Sequence, residues 1–151
     1  MKEVVLYIFV CSLTMVSCNS DDNQIPDNPT PEIRFEFTPA MPLITGLASD
    51  IFLETDGEIK NLSDGTLTLA WKRTQANLPM NWQTQVCDPN ACYLPLVDNH
   101  SFSLSTDSTG IMRVRFLPDS ISGTGTTTIA IWELGDSANT AITVNYKGIA
   151  S

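Results

Sequence analysis

The stretch Thr66-Leu67-Thr68-Leu69-Ala70-Trp71-Lys72 alternates. Leu67, Leu69 and Trp71 fall on one face, and Thr66, Thr68, Ala70 and Lys72 on the other. Successive side chains of a β-strand point to opposite sides, so a period of two describes a strand with one buried face. Gly110 to Leu117 repeats the pattern, with Met112, Val114 and Phe116 on one face and Arg113 and Arg115 on the other. Outward from these two, Ile33 to Phe37, Trp82 to Val86, Ser101 to Ser105, Thr126 to Glu133 and Ala141 to Lys147 alternate in the same way. Ser49 to Glu54 and Glu58 to Asn61 carry weaker strand signals, with Asp56-Gly57 between them expected as a hairpin turn. Ser63-Asp64-Gly65 is a second expected turn. Periodic runs of helix formers are absent, and Thr, Ser, Gly, Asn and Pro divide the chain into short segments. Seven to nine strands of this length predict an all-β sandwich of two antiparallel sheets.

The N-terminus has a different character. Val4 to Val16 is apolar apart from Ser12 and Thr14. It is shorter than the roughly 20 residues a membrane-spanning helix needs and has the length of a signal-peptide core. Met15-Val16-Ser17-Cys18 follows and resembles the lipobox at which bacterial lipoprotein signals are cut, with Met15 where Leu is usual. Residues 1–17 are therefore expected as a lipoprotein signal peptide, with Cys18 as the lipidated residue; the alternative is an ordinary secretory signal. Several acyl chains on Cys18 would anchor the protein stably, since each buried methylene contributes about 0.8 kcal/mol. Ser20-Asp21-Asp22 resembles the lipoprotein export signal of Bacteroidota, which implies an outer-membrane lipoprotein exposed at the cell surface. The alternatives are a solvated acidic tether and the periplasmic face. Residues 18–32, with Pro26, Pro29 and Pro31, read as an acidic, proline-rich tether, and residues 33–151 as one domain.

Removal of residues 1–17 leaves 134 of 151 residues, and the net charge stays at -9, with 7 basic and 16 acidic side chains. Such a surface repels nucleic acid and anionic headgroups, so membrane attachment is expected through the lipid and no nucleic-acid partner is expected.

Cys87 and Cys92 enclose Asp88-Pro89-Asn90-Ala91. In an oxidising compartment thiols tend to pair, and once Cys11 leaves with the signal and Cys18 is acylated only these two remain. Pro and Asn suit the second and third positions of a tight turn. Cys87 and Cys92 are therefore expected as a disulfide stapling a hairpin tip. A zinc site wants four ligands, and only His100 could join the two Cys; a redox pair would be C-x-x-C at a helix start.

Trp71, Leu78-Pro79, Trp82, Cys87 and Cys92-Tyr93, followed by Phe116-Leu117-Pro118 and Gly123-Thr124-Gly125-Thr126, resemble small immunoglobulin-like domains of exported Bacteroidota proteins. The resemblance spans most of residues 59–146 and implies an immunoglobulin-like antiparallel β-sandwich, not an activity. Those domains often precede a C-terminal sorting domain; here the chain is expected to end on its last strand and to use the N-terminal lipid.

No catalytic constellation is expected. His100 lies in Asp98-Asn99-His100-Ser101, which reads as a turn, and no paired carboxylates stand in a glycosidase-like context. Asp56, Glu58 and Asp64 could approach calcium but lack the EF-hand pattern, and they read as solvated turns; no metal or cofactor is expected. Trp71 and Trp82 read as core, and Trp132 falls on the face opposite Ile129 and Ile131. Asp107-Ser108-Thr109, Asp119-Ser120-Ile121 and Asp136-Ser137-Ala138 resemble the O-glycosylation acceptor of Bacteroidota. The expected function is a lipid-anchored, non-catalytic surface module for adhesion, assembly or ligand capture, with a surface protein or a glycan as partner. The alternative is a carbohydrate-binding lipoprotein of a glycan-uptake system, and an exposed Trp132 or Trp82 on a shallow face would favour it.

Overall fold

The computed structural model describes residues 32–151. Residues 1–17, Cys18, Ser20, Asp21, Asp22 and the tether through Pro31 lie outside the described residues. The described chain runs β1 (Phe35–Pro39), β2 (Leu43–Gly46), β3 (Leu53–Asn61), β4 (Leu67–Asn77), β5 (Gln83–Cys87), β6 (Asn99–Leu104), β7 (Thr109–Leu117), β8 (Gly123–Glu133), α1 (Ser137–Thr140) and β9 (Ile142–Ala150). Four strands form one sheet in the order β1-β3-β7-β5, and five form the other in the order β2-β9-β8-β4-β6. The first matches the A-B-E-D sheet of immunoglobulin domains, and β9-β8-β4 matches their G-F-C sheet. The protein is an immunoglobulin-like β-sandwich, with β6 and β2 added at the edges of the second sheet.

The alternation read from TLTLAWK and from Gly110 to Leu117 produces the core. Leu67, Leu69, Trp71, Met112, Val114 and Phe116 all face inward and are buried. Complete burial of one such side chain contributes about 1.5–3 kcal/mol. Glycines let the layers close. A Cβ on Gly148 would stand 2.8 Å from the Phe116 ring of the opposite sheet, and one on Gly125 would stand 3.0 Å from both Leu78 and Trp82. Gly123 likewise meets Pro79. Leu78-Pro79, Trp82, Phe116, Gly123 and Gly125, separate stretches in the sequence, thus meet at this end of the sandwich.

Three expectations are corrected. Asp56-Gly57 is no turn: β3 runs straight through it, pairing Asp56 with Arg113 and Gly57 with Met112. A Cβ on Gly57 would lie 2.6 Å from the Phe37 ring, so the glycine marks the place where β1 presses an aromatic side chain onto the strand. Second, the sheets are not both wholly antiparallel, because β2 runs parallel to β9. The stretch Leu43–Gly46 carried no readable signal: it buries no side chain fully and is held by backbone pairing. Third, Asn99 and His100 belong to β6 and not to a turn, since β6 starts there against Lys72 and Trp71.

Candidate functional site

The chain leaves β5 at Cys87 and crosses to the other sheet at β6, and the crossing begins at the disulfide. Cys87 and Cys92 are bonded, with Cα atoms 3.8 Å apart. The separation is shorter than the usual range of about 4.4–6.8 Å for disulfides. The pair sits between two backbone hydrogen bonds, Tyr93 N to Val86 O and Asp88 N to Ala91 O. It is therefore a non-hydrogen-bonded antiparallel pair, the position at which strands come closest.

Asp88, the first turn residue, is buried and serves as the hub of the crossing. Its Oδ1 accepts the backbone N–H groups of Asn90 and Ala91 at 2.9 and 3.2 Å, closing the turn. Its Oδ2 accepts the Trp71 indole N–H at 3.2 Å and the Tyr93 hydroxyl at 2.8 Å. Tyr93 has a single proton, already given to Asp88. His100 Nδ1, 2.9 Å from the Tyr93 oxygen and 2.8 Å from the Ser101 carbonyl, must then be the donor to both. Neutral His100 carries its lone pair on Nε2. Burial, followed by the hydrogen bond to the Asp88 carboxylate, pushes the Tyr93 hydroxyl up to about 12.

The rest of the crossing is tied by Arg73, whose side chain points inward from β4 and is only 10% exposed. It reaches the opposite sheet, donating to the Thr84 carbonyl and hydroxyl at 2.7 Å each, and it also holds Pro95 O and the Asp98 carboxylate. This disposes of a Ser-His-Asp arrangement. Asp98 is engaged by Arg73, His100 by Tyr93, and Ser101 lies on the other face of β6 from His100. The calcium candidates are not brought together either. Asp56 is paired with Arg113, at 2.9 Å for Nη2 to Oδ2, and Arg113 holds its carboxyl below the ordinary value despite partial burial. Among the described residues no group of three or more His, Cys, Asp or Glu could hold a metal ion. Of the acceptor-like triplets, Asp107, Asp119 and Ser120 adopt left-handed backbone in turns, and Ser137 opens α1.

The outer face of the five-stranded sheet is different. Trp71 and Trp82 are buried, and the Trp82 indole donates to Ile121 O at 2.8 Å. Trp132 is half-buried. Register places Ala70 beside it on β4, and Ser101 beside Ala70 on β6. The methyl group of Ala70 thus floors a notch between a large side chain and a small one. Lys72 and Asn99 form the next outward row. Together with Leu134, these residues line a shallow groove of about 570 Å³. Trp132, Ala70 and Lys72 were readable as facing away from the core from their own strands; that Ala70, Lys72, Asn99 and Ser101 stand beside Trp132 was not, because it depends on which strands pair.

No family model matches the sequence, and no curated protein matches it. Solved structures do. The N-terminal domain of PorA superposes with a TM-score of 0.51 at 19% identity, over 72% of this chain and 85% of that one. PapD-like domain 7 of human CEP192 gives 0.47 at 14% identity, over 97% and 98%. AggA, the major subunit of aggregative adherence fimbriae type I from Escherichia coli, gives 0.45 at 14% identity, over 82% and 98%. At these identities the likeness to the PorA domain is one of fold.

Proposed function

We propose that the protein is a lipid-anchored, non-catalytic ligand-capturing module of the outer membrane, held at the cell surface through Cys18, and that it captures glycan on the outer face of its five-stranded sheet. The observation that carries this reading is the half-buried Trp132 lining a groove floored by Ala70, beside Lys72, Asn99 and Ser101. A flat indole on a rigid sheet offers its face to the C–H groups of a sugar ring, and short polar side chains around it can bond the hydroxyls. Capture needs no proton transfer, which suits a domain whose Asp88, Asp98 and His100 are engaged in holding its own loops. The test is an array of surface glycans probed with the full chain and with Trp132→Ala. Retention of the same glycans by the variant overturns the reading. Fatty-acid labelling that survives Cys18→Ala overturns the anchor.

A second reading, adhesion or assembly with a surface protein, is favoured by the opposite end of the sandwich. The loops entering β3 and β5 expose Leu47 (58%), Ile51 (84%) and Met80 (82%). Cross-linking from positions 51 and 80 on intact cells checks it: capture of lipopolysaccharide alone, with no protein, sinks this alternative.

A further inference from the structure

We infer that the glycan taken by the Trp132 groove is acidic, with a hexuronate ring stacked on the indole and its carboxylate on Lys72. The inference rests on the proposed reading of the groove as a glycan site and adds the class of sugar.

Charge carries it. The protein has 17 acidic and 8 basic residues, yet no Asp or Glu lines the groove. All four arginines are committed to carboxylates: Arg34 to Glu133, Arg73 to Asp98, Arg113 to Asp56 and Arg115 to Glu54. Lys72 makes no ion pair among the described residues, is exposed, and has neutral cross-strand neighbours, Asn99 on one side and Ala130 on the other. Lys60 and Lys147 also make no ion pair among the described residues, but Lys72 is the cation that lines this groove, and a cation in a lining without acids is complementary to an anion.

Geometry supplies the ring. Trp132 and Ser101 flank Ala70 on the two adjacent strands, so their Cα atoms stand about 10 Å apart by strand spacing. Lys72 lies two residues along β4 from Ala70 on the same face, one row from the indole. A pyranose seated over Ala70 therefore meets the indole on one side and the Ser101 hydroxyl on the other. A carboxylate at its rim reaches the Lys72 ammonium, with the Asn99 amide beside it. The requirement for a flat C–H face and an anion together selects a uronic acid over a phosphate or a simple carboxylate.

The experiment titrates the detergent-solubilised full chain with trigalacturonate and with neutral galactotriose, following calorimetry and tryptophan fluorescence. The acid should bind at least about tenfold more tightly than the neutral sugar, the size of one charge-assisted hydrogen bond. Lys72→Gln should remove that preference, and Trp132→Ala should remove binding of both, with thermal midpoints of the variants showing that each is folded. Equal binding of both sugars at Trp132 overturns the acidic inference and leaves glycan capture standing. Binding of neither sugar, while the array in the previous section retains neutral glycans through Trp132, also overturns only the inference; silence in both experiments ends the two together. Acid binding that persists in Trp132→Ala and weakens equally in Lys60→Gln and Lys147→Gln is general attraction to cations and overturns the proposed site.

Discussion

Two sets of polar side chains hold this sandwich, and they differ in what water can do for them. At the crossing between the sheets, Asp88 has a fully buried side chain and Arg73 one that is 10% exposed. On the outer face of the four-stranded sheet, Asp56 and Arg113 are 42% and 32% exposed, and Glu54 and Arg115 are 35% and 19%. The chemistry is similar, with carboxylates accepting from nearby donors. Inside, removal of Asp88 leaves the Trp71 indole N–H unbonded where it is buried; outside, water replaces the missing partner. Similar hydrogen bonds therefore have unequal worth, and the crossing is where the fold is most exposed to a single polar substitution.

The largest expected effect tests the buried set. Asp88→Ala orphans the buried Trp71 indole N–H and unties the half-buried Tyr93 hydroxyl and two turn amides that water can reach, and should cost about 3 kcal/mol in urea unfolding. A loss below about 1 kcal/mol would mean that water enters the crossing, and the contrast would collapse. Next, Cys87→Ser with Cys92→Ser should cost about 2 kcal/mol, the chain-entropy value for a loop of about six residues. The same loss should follow reduction of the native protein, measured by thermal melting with and without reductant.

Glu133 sharpens the contrast because it is an intermediate case, a carboxylate only 7% exposed bound to Arg34, which is 52% exposed. Burial alone would push its carboxyl up, but hydrogen bonds from the Arg34 side chain and backbone, with its charge, hold it below the ordinary carboxylate value. A carboxyl lowered in the folded state adds stability that is complete above its unfolded value and is lost as pH falls through the folded one. Melting temperature should therefore hold from pH 7 to about pH 5 and fall below about 4.5. Glu133→Gln should lose about 1.5 kcal/mol at pH 7 and flatten that acid limb. An unchanged limb would remove Glu133 from the acid response. The smallest effect belongs to the outer face: Asp56→Asn should cost less than about 1 kcal/mol, and less again in high salt. A cost matching that of Asp88→Ala would show that exposure is not what separates the two sets.

The sandwich was legible because inward residues of a half-buried strand differ in kind from outward ones; TLTLAWK and the stretch from Gly110 to Leu117 state their faces directly. The disulfide was legible because a turn sequence lies between its cysteines. Asp56-Gly57 misled for a physical reason: glycine serves both a tight turn and a close approach, and only the position of Phe37 decides between them. Leu43–Gly46 was silent because backbone pairing to a distant strand leaves no mark on side-chain pattern. The groove was half-legible. Trp132 faces away from Ile129 and Ile131 by parity alone, whereas its companions come from β4 and β6 through register, which no local stretch encodes. The role of Asp88 was legible only as a turn former; its bonds to Trp71 and Tyr93 depend on the fold.

The parallel pairing of β2 with β9 bears on how the molecule comes into being. Leu43 pairs with Lys147 and Gly46 with Ala150, more than a hundred residues later. A chain made N-terminus first must hold Leu43–Gly46 unmatched until Lys147–Ala150 has followed. Closing so long a loop is slow, and β-sandwiches dominated by such pairings fold in about milliseconds to seconds. The β2–β9 seam is therefore the last of the five-stranded sheet that can close: until Lys147–Ala150 is in place, β2 and the flank of β9 stay open to any strand that offers itself.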